Sequence, residues 1–179
     1  MRQALFSAIV VAVLASGIPA QAQDHDMMDH PMHMAAMGAD GRQPVNFPPQ
    51  MRQHILANMR DHMQALADIL TALSAGDYAK AGQIADARLG LDSPAAAGCK
   101  AGAAVDAPQM SQPADKEQMM AQFMPEGMRK VGLAMHRSAS DFAAEAAQAA
   151  KTGNGSDAIA ALASVTQQCA ACHSAYRVQ

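Results

Sequence analysis

The chain has 179 residues, with 13 basic and 16 acidic side chains and a formal net charge of −3 at pH 7. This length suits one domain, and the mildly negative charge gives none of the basic surface that nucleic-acid binding requires. Half of the residues are apolar, yet only 3% are aromatic and Trp is absent. Abundant alanine with few aromatic side chains favours closely packed helices over a β-sandwich. The composition therefore predicts an all-α protein.

Residues 1–22 have the pattern of a cleaved export signal. Arg2 precedes an apolar stretch from Ala4 to Leu14, and small residues precede a cleavage site after Ala22. No later segment approaches the ~20 consecutive apolar residues of a membrane-spanning helix. We therefore expect the signal to be removed and the mature chain to be a soluble periplasmic protein without membrane insertion.

The next segment, residues 23–45, is predicted to be a disordered arm because it has almost no large branched residues for a core. It is rich in imidazole and thioether groups, namely His25, Met27, Met28, His30, Met32, His33, Met34 and Met37. Thioethers favour Cu(I) and imidazole also accepts Cu(II), so these side chains are candidate copper ligands. The alternative is a compositional accident in a chain with 15 methionines.

The remaining residues, 46–179, contain the helical patterns. An apolar stripe at three- and four-residue steps, Leu56, Met59, Met63, Leu66 and Leu70, predicts a first helix. This helix opens at Pro48 and Pro49 and runs to about Ser74. After a turn and N-cap at Gly76-Asp77, a shorter alanine-rich helix runs to about Leu89. A long connection of small residues follows, from about Gly90 to Pro113.

Two further helices complete the predicted fold. The third runs from about Pro125 to Lys151, and Asp115 to Phe123 offers an extra turn before it. The last begins at Ser156, which is expected to cap it, and continues towards the C-terminus. Four helices joined mostly by short turns predict an antiparallel four-helix bundle.

The last helix carries the run Cys169-Ala170-Ala171-Cys172-His173, with six residues after it. In an exported protein, this spacing indicates covalent haem attachment, in which both thiols add to the vinyl groups and the imidazole binds iron. On a helix, positions three and four apart share one face, so the three side chains converge. A thiol-disulfide site and half of a zinc site are the alternatives, but the chain has no second Cys pair and no βαβ pattern.

The C-terminal pattern Cys-x-x-Cys-His-x-x-Tyr-Arg, which ends at Tyr176 and Arg177, resembles the haem-binding end of the cytochrome c-prime family, the class II c-type cytochromes. Near the start of the first helix, Arg52 followed four residues later by Leu56 resembles the same family. The resemblance covers roughly residues 48–179. The C-terminal motif is specific, whereas the intermediate helices match only in pattern.

The resemblance implies a bundle with one haem c, bonded through Cys169 and Cys172 and ligated by His173. Arg52 and Arg177 would lie near the propionates, because a guanidinium suits carboxylates. Leu56 over the other haem face cannot coordinate iron, which implies a five-coordinate haem open to nitric oxide or carbon monoxide. The competing arrangement is a six-coordinate haem with a thioether ligand from Met59. Dimerisation through the first two helices is common in the family.

These observations predict a periplasmic mono-haem cytochrome that transfers one electron or binds small gas ligands. No arrangement of nucleophile, base and acid suggests an enzyme, and the redox partner is not indicated by the sequence. The alternative functions are a copper-handling protein that acts through the arm and a thiol oxidoreductase. Three helical histidines, His54, His62 and His136, are interpreted as solvated surface residues, and Cys99 as a free loop thiol.

Overall fold

The computed structural model describes residues 40–100 and 113–179. The predicted signal, all eight candidate copper ligands of the arm and part of the long connection lie outside these residues. The described residues form five α-helices, one short 3₁₀-helix and two three-residue strands, which confirms the prediction of an all-α protein. None of these helices has the length and apolar character needed to cross a membrane.

The first two helices match their predictions closely. Helix α1, Pro49–Ser74, begins with a proline, whose missing N–H needs no partner in the first turn. The chain then turns at Gly76, where φ is +71° and only glycine is free of strain. Helix α2, Tyr78–Leu89, is capped by Asp77, whose side chain accepts a hydrogen bond of 3.0 Å from the Lys80 amide.

The second half of the described chain contains three helices. They are α3 (Pro113–Ala121), α4 (Glu126–Thr152) and α5 (Ser156–Ala175). The predicted extra turn is thus a separate helix, and the 3₁₀-helix Pro94–Gly98 lies within the predicted connection. The prediction that Ser156 caps α5 is wrong: Ser156 is its first helical residue, and its backbone N–H donates to the Asn154 side-chain oxygen at 3.1 Å.

The two strands join segments at opposite ends of the described chain. Strand β1, Gln43–Val45, pairs in parallel with β2, Tyr176–Val178, and Val45 is only 3% exposed. The predicted arm boundary at Val45 is therefore wrong for these residues, because β2 supplies hydrogen-bond partners that no local pattern reveals. The pairing brings the beginning of α1 near the end of α5, where the Cys-x-x-Cys-His run lies.

The buried face of α1 differs from the predicted stripe by one position. The helix buries Met51, Ile55, Ala65, Ile69 and Ala72. The predicted stripe residues Met63 and Leu70 are instead 65% and 52% exposed. The prediction followed one row of leucines and methionines, but the neighbouring row, which includes Ile55 and Ile69, is the one that is buried. The helix is consequently rotated by one residue relative to the expectation.

Two clusters of buried residues make up the core. The first joins α1, α2, α4 and α5, and Ile69, Phe142 and Val165 are its largest enclosed apolar side chains. The second lies beside the Cys-x-x-Cys-His run and is rich in methionine. Its buried members are Val45, Phe47, Met51, Ile55, Met120, Met124 and Met128. Flexible thioether side chains can fill irregular spaces, and this cluster borders a cavity beside the Cys-x-x-Cys-His run.

Candidate functional site

The main cavity, of about 320 Å³, lies beside the Cys-x-x-Cys-His run, between α1, α4 and α5. Cys169, Cys172 and His173 all line it, so the structure brings these three predicted site residues together. Six methionines also line it: Met59, Met63, Met120, Met124, Met128 and Met135. Its size and mainly apolar wall are typical of a small-molecule or cofactor site.

The two motif thiols are neutral because of their surroundings. Burial raises the pKa of Cys169, and burial together with the neighbouring Cys169 thiol raises the pKa of Cys172. Neither cysteine forms a disulfide in the structure. Burial therefore favours the protonated form of both thiols at the wall of an apolar cavity.

A second cavity, of about 250 Å³, shares Met59, Met128, Cys172 and His173 with the first. It adds two guanidinium groups, from Arg42 and Arg177. Asp40 lies 2.5 Å from Arg42 Nη2 and 3.7 Å from Arg177 Nε, and the hydrogen bonds from Arg42 hold the pKa of this carboxyl below its usual range. The Cys-x-x-Cys-His run thus lies between the apolar main cavity and a second cavity lined by the positively charged Arg42 and Arg177.

The residues predicted to lie near the haem propionates and over the open haem face are only partly brought together. Arg177 lines the second cavity as expected, whereas Arg52 is exposed and lines neither cavity. Leu56 lines the second cavity but not the first, and Met59 lines both. Arg42 was missed, because its position depends on the pairing of β1 with β2, for which the sequence carries no signal.

The prediction that His136 is a solvated surface residue is wrong. Its side chain is 1% exposed, and its Nδ1 lies 2.7 Å from the Leu89 carbonyl oxygen. Because a carbonyl oxygen can only accept, Nδ1 carries the proton of the neutral ring. His136 also lines the main cavity.

The same prediction is wrong for His62, which lines the main cavity from α1. Its Nε2 is enclosed and has no hydrogen-bond partner among the described residues. The ring lies 5.8 Å from that of His136, centroid to centroid, at an interplanar angle of 85°. Burial, with the nearby His136 as a second cause, lowers the pKa of His62 to about 4, and burial also lowers the pKa of His136.

His54 is half-buried rather than a solvated residue, because it pairs with Glu117 of α3. Its Nε2 lies 2.6 Å from Glu117 Oε1, and Asn58 Nδ2 lies 2.9 and 3.1 Å from the two carboxylate oxygens. Glu117 is only 3% exposed, so these contacts supply its hydrogen bonds and fix α3 against α1. No pattern in the sequence singles out Glu117.

Cys99 is part of the cavity wall, and its interpretation as a simple loop thiol is incomplete. It follows the 3₁₀-helix, and its Sγ packs so close to Gly132 of α4 that an added Cβ there would lie 2.5 Å away. Burial is the main cause that raises the pKa of this thiol to about 12. Three cysteines therefore line one cavity, although only two belong to the motif.

The two buried histidines predict a loss of stability in acid. Their folded-state pKa values lie below the unfolded value of about 6.5, so protonation favours unfolding. For His62, whose folded pKa is about 4, stability should be complete above pH 6.5 and fall by at most about 3 kcal/mol towards pH 4. Urea unfolding with a metal chelator at pH 7 and pH 4.5 measures this. His62→Leu should reduce the difference in the free energy of unfolding between pH 7 and pH 4.5. An unchanged difference would contradict the prediction.

A comparison of the chain with protein-family models, with curated proteins and with solved structures found no significant match. Among residues 40–100 and 113–179, no group of three or more His, Cys, Asp or Glu side chains is arranged to hold a metal ion. The function is therefore inferred from the cavity and the residues that line it.

Proposed function

We propose that the protein is a periplasmic mono-haem c-type cytochrome of the c-prime kind, with haem c attached to Cys169 and Cys172. The observation that carries this proposal is that both thiols and the His173 imidazole line one apolar cavity between helices. The site suits the group: paired thiols for thioether bonds, an imidazole beside them for iron, and an apolar wall for the macrocycle. Bound there, haem would supply one-electron Fe(III)/Fe(II) chemistry and could bind a small ligand.

The proposed architecture is an antiparallel four-helix bundle of α1, α2, α4 and α5. Its support is the chain of packing contacts, in which α1 contacts α2, α2 contacts α4, and α4 contacts α5. The pairing of β1 with β2 closes this set by bringing the start of α1 near the end of α5. A bundle of this kind places a cofactor between facing helices.

Arg42 and Arg177 are the proposed partners of the haem propionates. Both guanidiniums line the second cavity next to His173, and planar guanidiniums bind carboxylates through paired hydrogen bonds. Arg177 Nε is enclosed and has no hydrogen-bond partner among the described residues. Arg42 thus takes the role that the resemblance gave to Arg52.

The open haem face is proposed to lie at Leu56. Leu56 and His173 line the same cavity, and the leucine has no atom that can bind iron. An apolar side chain there would leave room for a small uncharged gas molecule. Met59 lines the same cavity and is the residue that could instead close the sixth position.

The test of this proposal is the absorption spectrum of protein made with the haem-attachment machinery, with and without carbon monoxide. We expect a high-spin spectrum that shifts on adding the gas. Leu56→Met should give a low-spin haem and weaken carbon monoxide binding at least about tenfold, because the ligand must displace a thioether. Leu70→Met, the same substitution at an exposed position of the same helix that lines neither cavity, is the matched control and should change neither.

Two results would contradict parts of this proposal. A low-spin wild-type spectrum that ignores the gas and becomes high-spin in Met59→Leu would assign Met59 as the sixth ligand and exclude the open face. Absence of a Soret band in protein made with the attachment machinery would exclude the haem itself.

A homodimer through α1 and α2 is part of the proposal. Met63 and Leu70 of α1 are more than half exposed, and a partner copy would remove these apolar side chains from water. Sedimentation of the holoprotein measures the state, and a monomer at micromolar concentration would exclude the dimer.

A further inference from the structure

The geometry around the two buried histidines points to a second site in this protein. We propose that His62 and His136 bind one Cu(I) ion in the wall of the main cavity. The proposal does not depend on the haem, on the Met/His-rich arm or on the Cys-x-x-Cys-His run. It assigns a role to two residues that the proposed cytochrome function leaves without one.

His136 is held in the form that a metal ligand requires. Its Nδ1–H donates to the Leu89 carbonyl oxygen at 2.7 Å, so the lone pair of the neutral ring is on Nε2. A backbone carbonyl that orients an imidazole in this way is the usual outer partner of metal-binding histidines. The side chain is 1% exposed, and this burial makes its orientation fixed.

His62 supplies the second nitrogen, and this nitrogen has no hydrogen-bond partner among the described residues. The nitrogen, Nε2, is enclosed, so the lack of a partner is unfavourable unless a water or an ion satisfies it. The two ring centroids are 5.8 Å apart with nearly perpendicular planes, a separation at which both imidazoles can reach one ion. Burial lowers the pKa of both rings, so both are neutral near pH 7 and ready to coordinate.

The chemistry around the pair selects the ion. Met135 lines the same cavity, and thioethers are soft ligands that favour Cu(I). Zn²⁺ in a structural site takes four N, S or O ligands, and the described residues offer no cluster of three such acidic, Cys or His groups. Cu(I) accepts low coordination numbers, and its single charge costs less in an apolar cavity than a double one.

His62 lies farther along α1 than Leu56, the residue proposed to face the haem. It follows Leu56 by six residues, which is ~9 Å along the axis of α1. Asp61 and Arg88 act on His62 with opposite signs, and Lys100 is the charged group that acts on His136. Haem and copper thus have separate ligand sets in one molecule.

The experiment is a Cu(I) titration of the mature full-length holoprotein, in competition with a chromophoric chelator and without oxygen. We expect His62→Gln to remove one Cu(I) from the stoichiometry, or to weaken that site at least about tenfold, as loss of a ligand should. His54→Gln is the matched control, because His54 lies on the same helix but does not line the cavity. Any copper bound by the arm is the same in all three proteins, so the difference reports this site.

A second readout identifies the nitrogens directly. With Ag(I) as an oxidation-resistant d10 analogue of Cu(I), the Nε2 resonances of His62 and His136 should shift on adding the ion, whereas those of His54 should not. Unchanged Cu(I) binding in a folded His62→Gln variant, or silver that leaves both rings unshifted, would overturn the proposal. The Soret band of the same samples reports the haem separately, so failure of one proposal is distinguishable from failure of the other.

Discussion

Phe142→Ala is expected to lower the free energy of unfolding by about 3–5 kcal/mol, the range for removing a buried aromatic ring. Phe142 is fully enclosed near the middle of α4 and belongs to the cluster that joins all four long helices. Alanine would leave a cavity among close-packed small side chains that have little freedom to fill it. Urea unfolding of the holoprotein at pH 7 measures the loss.

Ile159→Ala is the matched control for this substitution. Ile159 is a large apolar residue of α5 but is 59% exposed, so its removal should change the free energy of unfolding by no more than about 0.5 kcal/mol. A loss below about 1 kcal/mol for Phe142→Ala, or equal losses for the two variants, would mean that the first cluster does not hold the helices together.

The long helices could be predicted because each repeats a local pattern over many residues. The boundaries of α1 and α2 match the expected ones within a residue or two, since Pro49 and Asp77 are strong local signals for a helix start. The pairing of β1 with β2 could not be predicted. Three residues are too few for a period, and the partner strand lies more than a hundred residues away.

The errors on α1 have one common cause, the rotation of that helix. Following the row of leucines and methionines placed Leu56 and Met63 on the inner face and left His62 outside. The observed face follows Ile55, His62 and Ile69, at steps of seven residues, and the buried Ala65 between them permits close packing. An apolar period that counts alanine as an inner residue would have indicated that His62 is enclosed.

The motif residues were predictable because their chemistry is local: the helix alone brings Cys169, Cys172 and His173 to one face. The remaining wall comes from segments far apart in the sequence. Arg42, Cys99 and His136 reach the two cavities only through tertiary packing, and no spacing within the chain identifies them.

The double variant Cys169→Ala with Cys172→Ala is expected to lose all covalently bound haem. Both thioether bonds require these sulfurs, so acid–acetone extraction should remove any residual haem from this variant and none from the wild type. Each single variant keeps one thioether, and its reduced pyridine haemochrome band should lie at longer wavelength than that of the wild type. Extraction and the haemochrome spectrum together count the bonds.

Cys99→Ala is a demanding control, because Cys99 lines the same cavity as the motif cysteines. Its thiol is buried, neutral and packed against Gly132, outside the helical face that carries the motif. It should therefore retain the full haem content and the wild-type haemochrome band. Loss of covalent haem in Cys99→Ala would show that proximity in the cavity, rather than the Cys-x-x-Cys-His spacing, selects the attached sulfurs.

A wild type with no haem and a reversibly titrating Cys169–Cys172 pair would instead identify a thiol oxidoreductase, because the same two sulfurs would then exchange electrons directly.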